Sequence, residues 1–113
     1  MAEYLQIVTT TASQEDARGI AAALIERRQA ACAQVIGPIE STYRWQGKIE
    51  TAQEWQCVIK TRGALYPVVE ATIRELHAYE APEIIATAVE AGSEAYLLWI
   101  DEQVSPPPGD VRK

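Results

Sequence analysis

The chain has 113 residues, of which 48% are hydrophobic and 23% are charged, and its formal net charge is −6. The length indicates one domain, and the composition is ordinary for a soluble globular protein. The negative charge and the lack of a basic run argue against nucleic acid or an anionic membrane as a partner.

The beginning of the chain, MAEYLQIVTTT, lacks the basic start and long apolar run of a signal peptide. No apolar run elsewhere has the length that spans a bilayer. We therefore expect a cytoplasmic protein without a membrane segment.

A strand and an amphipathic helix are the first two predicted elements. The strand covers residues 4–11 and has an apolar centre. Ser13 follows as the expected helix N-cap, with Asp16 in the capping-box position three residues later. Apolar residues then recur at helical spacing, at Ala17, Ile20, Ala21, Leu24 and Ile25. Arg27 and Arg28 place positive charge at the C-terminus of this helix, where it is favourable.

A long β-ribbon is predicted for residues 31–62. Its two arms alternate in β-branched and aromatic side chains, and residues 46–48 supply a tight turn. Gly37-Pro38 interrupts the first arm and indicates a bulge. Each arm can exceed ten residues, or roughly 35 Å, so the ribbon should extend beyond the body of a small domain. Its tip is expected to carry Tyr43, Trp45 and Trp55. An exposed aromatic ribbon favours pairing with another chain.

A second helix and a short strand follow the ribbon. The helical stripe runs over residues 65–76, with Pro67 in the first turn, where a missing N–H is harmless. Pro82 disfavours helix at the residue before it, so the helix should end near His77. Residues 83–90 are predicted to form the last strand.

A third helix is predicted from Glu94 to Gln103, capped by Ser93. Its run from Tyr96 to Ile100 is apolar on nearly all sides, so it should be covered on more than one side. The proline-rich residues 105–113 are expected to form a disordered tail.

The element order β-α-β-β-α-β plus a helix determines the predicted architecture. Right-handed crossovers place both helices on one face of a four-stranded antiparallel sheet. We therefore predict a ferredoxin-like α/β sandwich in residues 1–104, with a projecting hairpin and an extra C-terminal helix.

Five segments carry more specific information than the fold. They are Ala30-Ala31-Cys32, Ser41 to Glu50 (STYRWQGKIE), Ile59-Lys60-Thr61, Leu76 to Ile84 (LHAYEAPEI) and Tyr96 to Ile100 (YLLWI). In this order they resemble the CutA family of divalent-cation tolerance proteins, and the likeness runs from about residue 4 to residue 104. The resemblance implies a homotrimer formed by pairing of the ribbons, binding of copper or another divalent cation, and a role in tolerance of such cations. No established catalytic reaction comes with it.

The resemblance indicates His77 and Glu83 as candidate metal ligands. Two positions depart from the pattern, because Thr9 stands where many bacterial members have a cysteine, and Ala78 stands where they have a proline. That cysteine is a proposed copper ligand, and threonine cannot replace a soft thiolate for Cu(I). Two ligands are too few for a closed site. We expect weak binding of Cu(II) or another divalent cation, or a site shared across a trimer.

Other interpretations of these residues stay open. His77 can instead be a capping or hydrogen-bonded residue at a helix end. Glu50, Glu54 and Lys60 fit solvated charges or cross-strand pairs better than a functional cluster. The three tryptophans fit subunit packing better than ligand stacking. Cys32 and Cys57 are expected as free thiols, although a disulfide depends on a strand register that the sequence leaves open.

The main alternative function is that of a PII-like trimer that binds a nucleotide or small ligand between subunits. The short turn between the two middle strands and the scarcity of basic residues argue against it. An enzyme is not expected, because the chain has a single histidine, no glycine-rich phosphate loop and no nucleophile motif.

Overall fold

The computed structural model describes residues 2–106, and within them the chain forms four strands and three α-helices. The elements are β1 (Tyr4–Thr11), α1 (Gln14–Glu26), β2 (Cys32–Trp45), β3 (Lys48–Arg62), a 3-10 turn (Gly63–Leu65), α2 (Tyr66–Leu76), β4 (Ile85–Ala88) and α3 (Glu94–Gln103). The tail predicted to be disordered falls mainly on residues 107–113, which lie outside the described residues.

The strands form one antiparallel sheet in the order β2-β3-β1-β4. Helices α1 and α2 cover one face of this sheet and enclose a single core. That core contains Ile20 and Leu24 of α1, Val69 and Ile73 of α2, and Leu5, Ile7, Cys57 and Ile59 of the sheet. The predicted ferredoxin-like βαββαβ sandwich with an added helix is confirmed.

Side-chain caps fix the helix starts as the sequence predicts. Ser13 Oγ accepts a hydrogen bond from the Asp16 N–H at 3.1 Å, and Ser93 Oγ accepts one from the Tyr96 N–H at 3.2 Å. Helix α2 has proline in its first turn, and Leu65 lies in the preceding 3-10 turn rather than in the helix. Each cap satisfies a backbone donor that the first helical turn would otherwise leave without a partner.

The fourth strand is shorter than predicted, since only Ile85–Ala88 of the expected residues 83–90 pair with β1. The pairing stops at Val8, which faces the first residue of β4. Two residues further along β1, the Thr10 carbonyl is occupied by the imidazole of His77 at 2.7 Å. Since alternate carbonyls of a strand face the same neighbour, this contact takes the position of the next ladder hydrogen bond.

The ribbon is as long as predicted, with 14 residues in β2 and 15 in β3. The register shifts between Ile36 and Ile39, which confirms the predicted bulge at Gly37-Pro38. Gln46 and Gly47 both have positive φ, at 49° and 78°, as a two-residue type I′ turn requires. The ribbon gives the described chain an elongated shape of 52 × 27 × 22 Å.

Trp55 does not lie at the ribbon tip, so that part of the prediction is wrong. It faces Thr11 at the end of β1. Its ring also covers Gly37, because a Cβ added at Gly37 would lie 2.4 Å from Trp55 Cδ1. Trp55 therefore packs against the bulge of its own chain, whereas Tyr43 and Trp45 lie further out and are exposed.

Helix α3 is held by one buried side and a polar contact. Ile100 and the C-cap residue Val104 are buried. Asp101 accepts a hydrogen bond from the Tyr4 hydroxyl at 2.9 Å and forms an ion pair with Arg62 at 3.3 Å. Tyr96, Leu98 and Trp99 of this helix are exposed. Within residues 2–106, then, the helix is covered on one side only. In the same part of the chain, the helices are too short or too polar to cross a membrane.

Candidate functional site

The predicted metal ligand His77 is the C-cap residue of α2, where the backbone leaves the helical conformation. Its Nδ1 accepts a hydrogen bond from the Tyr79 N–H at 3.0 Å. Because Nδ1 is an acceptor, Nε2 carries the ring proton and donates it to the Thr10 carbonyl at 2.7 Å. The imidazole is thus neutral and has both nitrogens engaged, as in the hydrogen-bonded interpretation of this residue.

Tyr79 connects this histidine to the ribbon. Its ring lies against the His77 ring, with centroids 4.8 Å apart and planes inclined by 42°. Its hydroxyl donates a hydrogen bond to Glu54 Oε2 at 2.7 Å. Burial, followed by the nearby Glu54 carboxylate, raises the pKa of Tyr79 to about 12. Tyr79 therefore stays a protonated donor at neutral pH.

Glu54 corrects a prediction, because it is not a solvated charge. It is only 8% exposed and lies beside the bulge, opposite Ile39. The hydroxyl of Tyr79 supplies the hydrogen bond that a buried carboxylate needs. Lys60 is closer to expectation, since its ammonium donates to Gln34 across the strands at 2.8 Å.

Glu83, the second predicted ligand, is exposed in the segment before β4. Residues 2–106 contain no group of three or more His, Cys, Asp or Glu side chains that could hold a metal ion. The assignment of His77 and Glu83 as metal ligands stays a prediction. A complete metal site would need further ligands in addition to these two side chains.

Thr9, at the position where the resemblance leads one to expect cysteine, is fully buried on the core side of the sheet. It faces Cys57 across the strands, and its hydroxyl has no hydrogen-bond partner among the described residues. A buried hydroxyl without a partner is unfavourable. Thr9 thus contributes neither a soft ligand nor an accessible oxygen to a metal.

The register of the ribbon resolves the state of the two cysteines. Both are free thiols, Cys57 buried and Cys32 half-buried. Cys57 faces Val35, whereas Cys32 faces Lys60. The two cysteines are therefore offset along the strands rather than placed opposite each other, which confirms the expected free thiols.

Comparison with known proteins identifies the family. Residues 5–103 match the family model of the CutA1 divalent ion tolerance protein. The chain belongs to the CutA1 family. It is 38% identical over 96 residues to the divalent-cation tolerance protein CutA of Thermus thermophilus, covering 85% of this chain and 93% of that protein. It is 42% identical over 91 residues to Protein CutA of Homo sapiens, covering 80% of this chain but only 51% of the human protein.

Solved CutA structures have the same fold. The divalent cation tolerance protein of Thermus thermophilus superposes with a TM-score of 0.88 at 36% identity, covering 90% of this chain and 99% of that one. CutA of Xylella fastidiosa gives 0.89 at 38% identity, covering 92% and 100%. The resemblance to the CutA family is confirmed.

Sequence reasoning did not assign Glu54 and Tyr79 to the candidate metal site of this CutA1 family member. Tyr79 lies inside the segment LHAYEAPEI that carries the resemblance, and this was a signal for it. Glu54 offered none, because its strand pattern is that of an ordinary exposed charge.

Proposed function

We propose that this protein is a cytoplasmic homotrimer that binds Cu(II) or another divalent cation weakly, and that it acts in cation tolerance without catalysing a reaction. The observation that carries the proposal is the CutA1 family match over residues 5–103. Relatives of similar length are named divalent-cation tolerance proteins. The turn between β2 and β3 has two residues, which disfavours the PII-like alternative with its long loop.

Exposed apolar side chains support an assembly. Several lie on the outer ribbon, on β4 and on α3, with exposed fractions of 44% for Tyr43, 59% for Trp45, 69% for Ile49, 58% for Ile85 and 54% for Leu98. All four residues of β4 are exposed, and in the described chain this strand pairs on one side only. Apolar surface beside a free strand edge is typical of subunit interfaces. The number of three subunits comes from the resemblance.

The donor types support a weak site. His77 offers an imidazole nitrogen and Glu83 an exposed carboxylate, a set that suits Cu(II) or Zn(II) better than Cu(I). Two protein ligands leave most coordination positions to water or to a neighbouring subunit. This limits the affinity that one subunit alone can supply.

Calorimetric titration of the tag-free protein with Cu(II) tests the metal-binding part. We expect saturable binding that His77→Ala largely removes and Glu83→Gln weakens less. Glu90→Gln is the matched control, because Glu90 is also exposed and lies beyond the other end of β4. Binding that survives His77→Ala would place the site elsewhere. No saturable binding in the parent would contradict the metal-binding function.

A further inference from the structure

The segment between α2 and β4, residues 77–84, is held by three hydrogen bonds, two of which reach the sheet. His77 Nε2 donates to the Thr10 carbonyl at 2.7 Å, and the Tyr79 N–H donates to His77 Nδ1 at 3.0 Å. The Tyr79 hydroxyl donates to Glu54 Oε2 at 2.7 Å. We call these contacts the His77 latch.

The hydrogen bonds of the latch occupy both ring nitrogens of His77, and these are the atoms through which an imidazole binds a metal. A metal binds a ring nitrogen through a lone pair, and the one lone pair of this tautomer, on Nδ1, accepts the Tyr79 N–H. The other nitrogen carries the proton given to Thr10. His77 cannot hold these contacts and ligate a metal through a free nitrogen at the same time.

We propose that Tyr79 and Glu54 keep His77 latched to the sheet, and that His77 binds a divalent cation only when residues 77–84 open. This inference rests on the proposed metal-binding function. It makes Tyr79 a positioning residue that controls the access of a metal to His77 without being a ligand.

The hydrogen bond between Tyr79 and Glu54 is the contact of the latch best suited to control whether residues 77–84 open. Its acceptor is a largely buried carboxylate, and hydrogen bonds to charged groups are stronger than those between neutral groups.

A closed latch weakens metal binding by a predictable factor. The apparent dissociation constant equals the intrinsic one divided by the fraction of open molecules. Loss of one hydrogen bond to a carboxylate raises that fraction about tenfold, a value at the lower end for such bonds. Removing the Tyr79 hydroxyl should therefore tighten metal binding by about tenfold, the opposite of what loss of a ligand does.

The test uses the full-length, tag-free chain and Cu(II) alone. Tyr79→Phe removes the hydroxyl and keeps the ring against His77. Tyr66→Phe is the matched control, since Tyr66 also lies near a carboxylate, that of Glu70 on α2, but away from the latch. Calorimetry should show about tenfold tighter binding by Tyr79→Phe alone. Hydrogen exchange of the metal-free protein should be faster in residues 77–84 of Tyr79→Phe and unchanged in the control.

The two proposals fail in different ways. Unchanged copper affinity and unchanged exchange in Tyr79→Phe, together with loss of binding in His77→Ala, would overturn the latch and leave the metal-binding function in place. Weaker binding in Tyr79→Phe would also overturn the latch, because Tyr79 would then help to hold the metal. Unchanged binding in His77→Ala would overturn the role of His77 as a metal ligand. It would also overturn the proposed dependence of metal binding on the opening of the latch.

Discussion

Burial decides the chemistry of single residues in this protein, and Cys57 is the clearest case. Its side chain lies in the core, enclosed between the sheet and the two helices. Burial raises the pKa of the Cys57 thiol from 9.0 to about 11. Since the thiolate is the reactive form, Cys57 should be inert at neutral pH, whereas the half-buried Cys32 is the more accessible thiol.

Reaction with a thiol reagent at about pH 8 tests this difference. The native Cys32→Ser variant should not react until urea unfolds it, whereas native Cys57→Ser should react slowly but measurably. The folded protein holds the Cys57 proton more tightly than the unfolded chain does. Its contribution to stability is therefore complete below about pH 9 and is lost as the pH rises through about 11. Fast reaction of native Cys32→Ser would show that Cys57 is accessible.

The residues of the candidate site could be predicted only in part, because their partners are distant in sequence. His77 was found as a candidate ligand through the resemblance to the CutA family, and as a hydrogen-bonded residue because it is a single histidine at a helix end. Glu54 was missed because a carboxylate on an alternating strand is solvated unless another element covers it. The covering residue, Tyr79, lies 25 residues away and reaches Glu54 only after the sheet has formed.

At the scale of elements, the sequence predicted helices and the ribbon well and the last strand poorly. Helix boundaries depend on local caps such as Ser13 and Ser93, which the sequence displays directly. The extent of β4 instead depends on which carbonyls of β1 remain free, and His77 occupies one of them. Tertiary competition of this kind has no local signal.

Replacement by alanine should have opposite effects at Gly37, in the bulge of β2, and at Gly19, in α1. Gly37→Ala should destabilise the protein by about 1–3 kcal/mol, the usual range for overpacking, because the new Cβ would lie 2.4 Å from Trp55 Cδ1. Gly19→Ala, in the exposed interior of α1 with nothing within 4 Å, should stabilise it by up to about 1 kcal/mol. Urea unfolding of both variants and the parent, at one protein concentration, checks the two signs. A Gly37→Ala variant as stable as the parent would show that Trp55 moves aside without cost.

The molecule as a whole has a small compact body and a long projecting ribbon with exposed apolar side chains. The ribbon accounts for its 52 Å length, and its outer part exposes Tyr43, Trp45 and Ile49. Within the described residues no element of the same chain lies over these side chains closely enough to bury them. The proposed trimer would remove this apolar surface from water, so association should add to the stability of the folded chain.

Trp45 tests that expectation. Its indole is 59% exposed in the single chain, so Trp45→Ala should cost little unless another subunit covers it. In a trimer that buries the ring, the loss is about 3–5 kcal/mol per site. We expect light scattering to give about three times 12.5 kDa for the parent and a lower mass for Trp45→Ala, with a lower melting temperature.

Ile25→Ala is the matched control for this experiment, because Ile25 is an exposed apolar residue on α1, outside the ribbon. It should leave the mass unchanged. A monomeric parent would contradict the proposed assembly. An unchanged mass and melting temperature in Trp45→Ala would show that the indole faces solvent in the assembled protein.

The fourth strand also affects how the protein folds as it is synthesised. The ribbon can form early, because β2 and β3 are joined by a two-residue turn and pair locally. The sheet, however, is complete only when Ala88 has paired with Leu5, which lies near the beginning of the sequence. Until the ribosome has passed β4 and α3, the nascent chain presents an aromatic ribbon and an incomplete sheet edge. Such intermediates are prone to aggregation, so rapid completion of the C-terminal part should protect this chain during its synthesis.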